Sequence, residues 1–195
     1  MRSLFLAAAV GIAALGTMQL SGPALAQAQE QTFPRFQALP ASSRAALTDW
    51  LQRDCSVGLT ATDTASLIAI PGVDEAVLIE AYQQGPVPEL ERDFTAAFDQ
   101  AYKERNITLA QEGADLLGRE DTARLLGVSR DNYVERRLED ARLNYRTNAV
   151  HGLGALGTES SLTVLTPSAA NPADPLHNAA QAATETISER VRSKD

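Results

Sequence analysis

Cysteine occurs once and histidine only twice in this sequence, and aromatic residues make up 5% of it. Each shortage closes off a class of chemistry. The single Cys55 cannot form an internal disulfide, and as a catalytic thiol it would want a histidine, whereas His151 and His177 lie far away in sequence. Its position after Trp50 and Leu51 predicts a buried free thiol. Neither histidine has a carboxylate or cysteine at metal-ligand spacing, so both read as structural or interface residues. No Gly-x-Ser-x-Gly, phosphate-cradling glycine loop or His-Glu-x-x-His occurs. The adjacent acids Glu120-Asp121 and Glu139-Asp140 diverge around a helix and do not form a catalytic pair by themselves. No cofactor, metal site or enzymatic activity is expected.

Strand signals are nearly absent as well. The longest β-branched cluster, residues 161–166, is short and sits in a better helical frame. What remains is rich in Ala, Leu, Glu, Arg and Gln, all good helix formers, and the class expected is all-α.

Residues 1–26 read as a secretory signal peptide. Arg2 gives a positive start, residues 4–20 are uncharged and apolar, and Ala24-Leu25-Ala26 is a small-residue cleavage site. Gly22-Pro23 follows the apolar run where a membrane anchor would continue. A bacterial periplasmic or secreted chain with no membrane span after cleavage is the expectation. Residues 27–40, polar and proline-punctuated, are expected to be a flexible arm, and residues 41–195 a single helical-repeat domain.

Caps and periodicity place the helices. Ser42 or Ser43 is expected to open one that runs through Trp50-Leu51. Thr62 or Asp63 opens a second that Pro71 stops, and Asp74 or Gly72 opens a third that ends at Gly85-Pro86. Pro88 begins a long one, with Leu90, Phe94, Ala97, Phe98 and Ala101 on one face. Ile107, Ala110, Ala114 and Leu117 continue that face to Gly118. A short helix covers 120–126. Residues 130–142 are charged nearly all round, with a thin stripe of Tyr133, Val134, Leu138 and Ala141. Tyr145, Ala149, Leu153 and Leu156 then line a face that Gly157 ends. Leu162 and Leu165 form a short further face. Asp174 as N-cap with Pro175 at the first position precedes the stripe of Leu176, Ala180, Ala183 and Ile187.

Charge is unevenly spread. The whole chain carries −8. Residues 74–121 hold 12 acidic and 4 basic side chains, and residues 124–146 hold 6 basic and 4 acidic ones. An acidic face that meets a basic partner is one reading, and solvated helix faces are the other.

Two internal similarities stand out. LGREDTARLL (117–126) and LGTESSLTVL (156–165) share Leu-Gly, an acid, a hydroxyl residue (Thr122, Ser161) and a closing Leu. YRTNAVHGLGAL and LHNAAQAATETI align at a second offset. The stretch YRTNAVHGLGALGTESSLTVL resembles a HEAT-like repeat, with Tyr145, Arg146, Ala149, Leu153, Gly154, Leu156 and Gly157 at the family's positions. His177 stands where the family has Arg, and Glu185-Thr186 replaces the Leu-Gly end. The resemblance covers about residues 105–190. It implies a short right-handed-type array of antiparallel helix pairs, a HEAT-like α-solenoid whose repeats stack through small residues and bind a protein partner on one face. Arg146 would then be a structural arginine tying adjacent turns.

The stretch TATDTASLIAIPGVDEAVLIEAYQQG, within 59–84, resembles a helix-hairpin-helix of the competence-type DNA receptors. Leu67, Ile70, Pro71, Gly72, Val73, Ala76, Ile79 and Tyr82 fit its apolar frame. Asp74 replaces its second turn glycine, and Asp74 and Glu75 place negative charge where phosphate would sit. The expected role of the turn is therefore a corner between packed helices, with Leu67, Ile68, Val77, Leu78 and Tyr82 in the core. The reading that follows is an exported protein–protein interaction or scaffold module, with Arg130, Arg136, Arg137, Arg142 and Arg146 as candidate partner contacts. Nucleic-acid binding through the hairpin is the alternative from a different class.

Overall fold

Residues 32–54 and 60–193 are described by a computed structural model. The leader at 1–26, the start of the arm at 27–31 and Cys55 lie outside the described residues. Among the described residues there are nine helices and no strand, so the fold is all-α. They are α1 (Pro34–Ala38), α2 (Ala41–Leu51), α3 (Ala61–Ile68), α4 (Glu75–Gln84), α5 (Pro88–Leu117), α6 (Arg119–Leu126), α7 (Arg130–Leu156), α8 (Glu159–Ala170) and α9 (His177–Arg192).

The C-terminal half of α7 is the axis of the core, and α2, α3, α4, α5 and α9 all pack against α7. Tyr145, Ala149, Val150 and Leu153 are buried there with Trp50, Leu67, Leu78, Leu165 and Ile187. Gly152 lets two helices approach α7 closely, and Gly154 lies on the other side. A Cβ on Gly152 would sit 3.0 Å from Leu78 and 3.1 Å from Leu67, so this position admits α3 and α4. A Cβ on Gly154 would lie 3.5 Å from Ala183, on the α9 side. The expected stripe of Leu176, Ala180, Ala183 and Ile187 is buried along its whole length, because α9 packs against both α7 and α8.

Several helix ends differ from expectation. Residues 33–39 are not a loose arm. Phe33 and Leu39 are buried on either side of α1, and Glu80 accepts hydrogen bonds from the Arg35 and Phe36 amides at 3.0 and 2.8 Å. A carboxylate from another helix thus supplies the cap that Phe33 lacks. Neither Ser42 nor Ser43 caps α2. Pro40 holds that position, and Ser43 is buried with its hydroxyl unpartnered among the described residues. Thr60 caps α3, in a reciprocal capping box with Asp63. Asp174 does not start α9 directly. Its carboxylate accepts from the Leu176 amide, and the helix proper begins at His177.

Gly157 ends α7 at φ −68, so it does not serve as a left-handed cap. Its glycine is required by space. A Cβ there would stand 2.4 Å from the Leu153 carbonyl oxygen and 2.6 Å from the Ser161 hydroxyl. Gly118, its counterpart in the other internal copy, has φ 83. The two copies therefore leave their helices by different turns.

Gly157→Ala should destabilise the protein by about 2 kcal/mol or more, since backbone has to move. Gly127→Ala, at a right-handed φ of −71 with carbonyl oxygens at 3.4 Å, should stay within about 0.5 kcal/mol. Urea titration followed by circular dichroism reads both.

Candidate interaction surface

The long helices α5 and α7 run antiparallel, because Glu91 meets Arg142, Phe98 meets Arg137 and Asp99 meets Arg130 along their length. This pairing decides the fate of the five arginines expected to face a partner. Arg130 pairs with Asp99 and also binds Asp131 at 2.9 Å. Arg137 lies 5.5 Å from the centre of the Phe98 ring. Arg142 donates two hydrogen bonds to Glu91, at 2.5 and 3.1 Å. Arg146 donates through Nε to the Tyr82 carbonyl at 2.8 Å and stacks 5.4 Å from that ring. Arg136 alone of the five has no hydrogen bond, ion pair or ring contact among the described residues. It lines an open cleft of about 630 Å³ with Arg124, Glu135 and Glu139. The Arg130 and Arg142 guanidiniums are held even more firmly protonated than usual, chiefly by their bonds to Asp99 and Glu91.

Beyond this paired stretch α5 continues without α7, because α7 begins at Arg130. Arg105 is the last clasp. Its guanidinium lies 5.2 Å from the Tyr102 ring and 4.6 Å from the Tyr133 ring, and it donates to the Leu125 carbonyl at 3.1 Å. Past it, α6 folds back on the end of α5 through Leu109 and Gly113, with Thr122 seated where a Cβ on Gly113 would come within 2.7 Å. The stripe of Ile107, Ala110, Ala114 and Leu117, expected as core, is not covered: all four residues are exposed. The face of α5 that α6 covers is the one carrying Leu109 and Gly113. Ile107 is 57% exposed, Leu116 68%, Leu117 48% and Leu126 39%, so four of the six exposed large apolar side chains among the described residues belong to this arm. Leu109, Gly113 and Thr122 are the buried residues of this arm, so little apolar surface is removed from water there.

The Pro71-Gly72 corner lies at the surface, while the acids that follow it cap helices within the protein. Gly72 has φ 81, and a Cβ there would meet Leu39 at 3.2 Å. Asp74 caps α4 by accepting from the Val77 amide at 3.0 Å. Glu75 reaches the start of α8 and accepts from the amides of Thr158 and Ser161 at 2.9 and 2.8 Å and from both hydroxyls. Burial pushes the Glu75 carboxyl up, but these four bonds outweigh it and leave it below the usual range. Helices α3 and α4 each pack on α7 and only marginally on each other. Leu67, Val77, Leu78 and Tyr82 are buried as expected, whereas Ile68 points to solvent at the rim of the corner.

A second polar cluster joins α4, α7, α8 and the α8–α9 turn. Ser168 has one hydroxyl proton, and the Asp174 carboxylate, 2.7 Å away, can only accept it. The Tyr82 hydroxyl, 2.8 Å from Ser168, must therefore be the donor in its own bond. The Asp174 carboxyl is held low, first by the Leu176 amide and then by Ser168. Every group in this chain has a partner, which suits a structural tie.

His151 half-faces a small cavity of about 250 Å³ lined by Thr64, Gly154, Ala155, Ala182, Ala183 and Thr186, and His177 sits 3.4 Å from the Ser168 carbonyl oxygen. Among the described residues no group of three or more His, Cys, Asp or Glu is placed to hold a metal ion. No described helix is long and apolar enough to cross a membrane. Comparison with family models, curated proteins and solved structures finds no match for this chain.

Burial lowers the His151 pKa below its ordinary 6.5. The unfolded chain then binds this proton more readily than the folded one. The His151 contribution is fully present above the unfolded value and is lost as pH falls through the folded value. Urea stability should therefore drop between pH 7 and pH 5, and His151→Gln should flatten that interval. The carboxylates Glu75 and Asp174 are held below their usual range, so their loss comes at more acid pH.

Proposed function

We propose that this chain is an exported protein–protein interaction module that works by surface complementarity. The observation that carries the reading is the α5–α6 arm. It leaves Ile107, Leu116, Leu117 and Leu126 in water on a projection with little core of its own. Burying such side chains against a partner gains about 25 cal/mol for each Å² of apolar surface covered. The leader-like residues 1–26 support an envelope or extracellular setting.

The HEAT-like reading draws support from the C-terminal third. There α8 and α9 form an antiparallel pair, since Arg190 near the end of α9 donates to the Ala155 and Gly157 carbonyls beside the start of α8. The close approach of Gly154 to Ala183 fits a small-residue seam. Against an array of neighbour-only contacts stands α7, which also packs on α2, α3 and α4. The interaction surface favoured is accordingly the arm. Among the basic positions on α7, Arg136 is the best placed to contribute.

Nucleic-acid binding through the corner is disfavoured by geometry as well as charge. The Asp74 carboxylate already occupies the first-turn amide that a phosphate would need.

The double variant Leu116→Gln/Leu117→Gln should keep the parent melting temperature within a few degrees, because neither side chain is buried. It should lose the crosslinked partner that the parent chain captures from an envelope extract. Equal capture by both would sink the arm reading. A low-salt mobility shift with DNA should show no retardation; a salt-sensitive shift abolished by altering Pro71 and Gly72 would restore the nucleic-acid alternative.

A further inference from the structure

A concave surface on the opposite end of α5 from the arm has a different chemistry. Phe36 of α1, Ala45 and Thr48 of α2, and Val87 and Leu90 at the start of α5 enclose a groove of about 600 Å³. That volume lies in the range of sites that bind small molecules or a few side chains. The floor is apolar: Leu90 is buried, and Phe36 and Val87 are partly so. The rim is acidic, with Asp49, Glu89 and Asp93 against a single cation, Arg44.

That cation is already engaged. Arg44 Nη1 donates to the carbonyls of Gln37 and Leu39 at 3.0 and 2.8 Å, where it closes the end of α1. Glu89 shares its charge with Arg92 at 3.2 Å, on the exposed surface of α5. Asp49 and Asp93 have no hydrogen bond or ion pair among the described residues. The groove therefore presents an apolar floor beside two uncompensated carboxylates.

We propose that this groove receives a short peptide segment of another protein that carries a large apolar side chain next to lysine or arginine. The apolar side chain fills the floor, and the cation sits between Asp49 and Asp93. Gln37 and Thr48 place an amide and a hydroxyl along the wall, groups that suit a peptide main chain with its alternating donors and acceptors. A second copy of this chain is disfavoured as occupant, because its own net charge is −8 and like charge at a rim repels. This surface is separate from the α5–α6 arm and can fail without it.

The test uses the full chain and a fluorescein-labelled hexapeptide, Lys-Leu-Phe-Lys-Leu-Arg, with fluorescence anisotropy at low and high salt. Two control peptides replace the basic residues by Glu or the apolar ones by Ser, and dodecyltrimethylammonium tests a simple cationic amphiphile as competitor. The parent chain should bind the first peptide, more weakly as salt rises, and neither control. Asp49→Asn/Asp93→Asn should weaken binding about tenfold, the size expected for losing two partly exposed charge contacts. Ala45→Trp, which fills the groove from an exposed helix position, should abolish it. Leu116→Gln/Leu117→Gln should leave it unchanged, so loss of the arm is told apart from loss of the groove. Circular dichroism checks that each variant is folded. The proposal is overturned if no peptide binds or if the Glu control binds equally. It also fails if Ala45→Trp and the double Asn variant bind like the parent, or if the amphiphile binds while the peptide does not.

Discussion

A helix leaves its first amides and last carbonyls without partners inside the helix, and burying them bare is costly. This chain packs many short helices around one long one, so it has many such ends close to its core. Several of them are closed by side chains borrowed from a different helix. Glu80 takes the start of α1 and Glu75 the start of α8. Asn144 and Asn148, one turn apart on α7, donate to the carbonyls that end α2. Arg146 takes a carbonyl near the end of α4, and Arg190 three carbonyls at the end of α7. Each of these bonds places charge or a donor at the favourable pole of a helix dipole. They also fix how the helices sit, since a cap holds only if both elements are in place. Packing supplies the affinity between the helices, and the caps supply the register.

This explains which parts of the fold were legible in the sequence. The apolar stripe of α9 and the long run from Pro88 to Gly118 follow from periodicity and punctuation, which are local. The borrowed caps are not local. Glu80 is 45 residues from Arg35, and Asn148 is 97 from Leu51. Their only sequence signal is a polar residue interrupting an apolar face: Glu80 within VLIEAY, and Asn148 between Tyr145 and Ala149. Such interruptions mark buried polar groups with distant partners. Residues 33–39 read as a loose arm for the same reason, because the carboxylate that orders them lies on α4.

Periodicity also misled where it was correct. Ile107, Ala110, Ala114 and Leu117 do form one face of α5, as their spacing requires. The spacing does not say that anything covers it. The α6 helix chooses the adjacent face because Gly113 opens a socket that Thr122 fills, and eight residues are too few to wrap both sides. A stripe at core spacing that stays exposed is a conflict between local pattern and tertiary packing, and such conflicts concentrate at sites used for something other than folding. The same reasoning separates Ile68 from its buried neighbours at the corner.

The uneven charge along the chain acquires a physical meaning once α5 and α7 are paired. Much of the acidic stretch lies on α5 and much of the basic one on α7, and the two partly neutralise each other across that antiparallel seam through Glu91 with Arg142 and Asp99 with Arg130. Of the five arginines that looked available to a partner, Arg130 and Arg142 are thus used by the chain's own acids, and Arg137 and Arg146 by the Phe98 and Tyr82 rings. Carboxylates without an ion-paired cation gather at two further places. One is the groove rim with Asp49 and Asp93, and the other is the arm with Glu112 and Asp115. Both places also carry uncovered apolar surface, so the molecule offers a partner two regions of the same sign. A binding protein matched to either would need basic residues around an apolar centre.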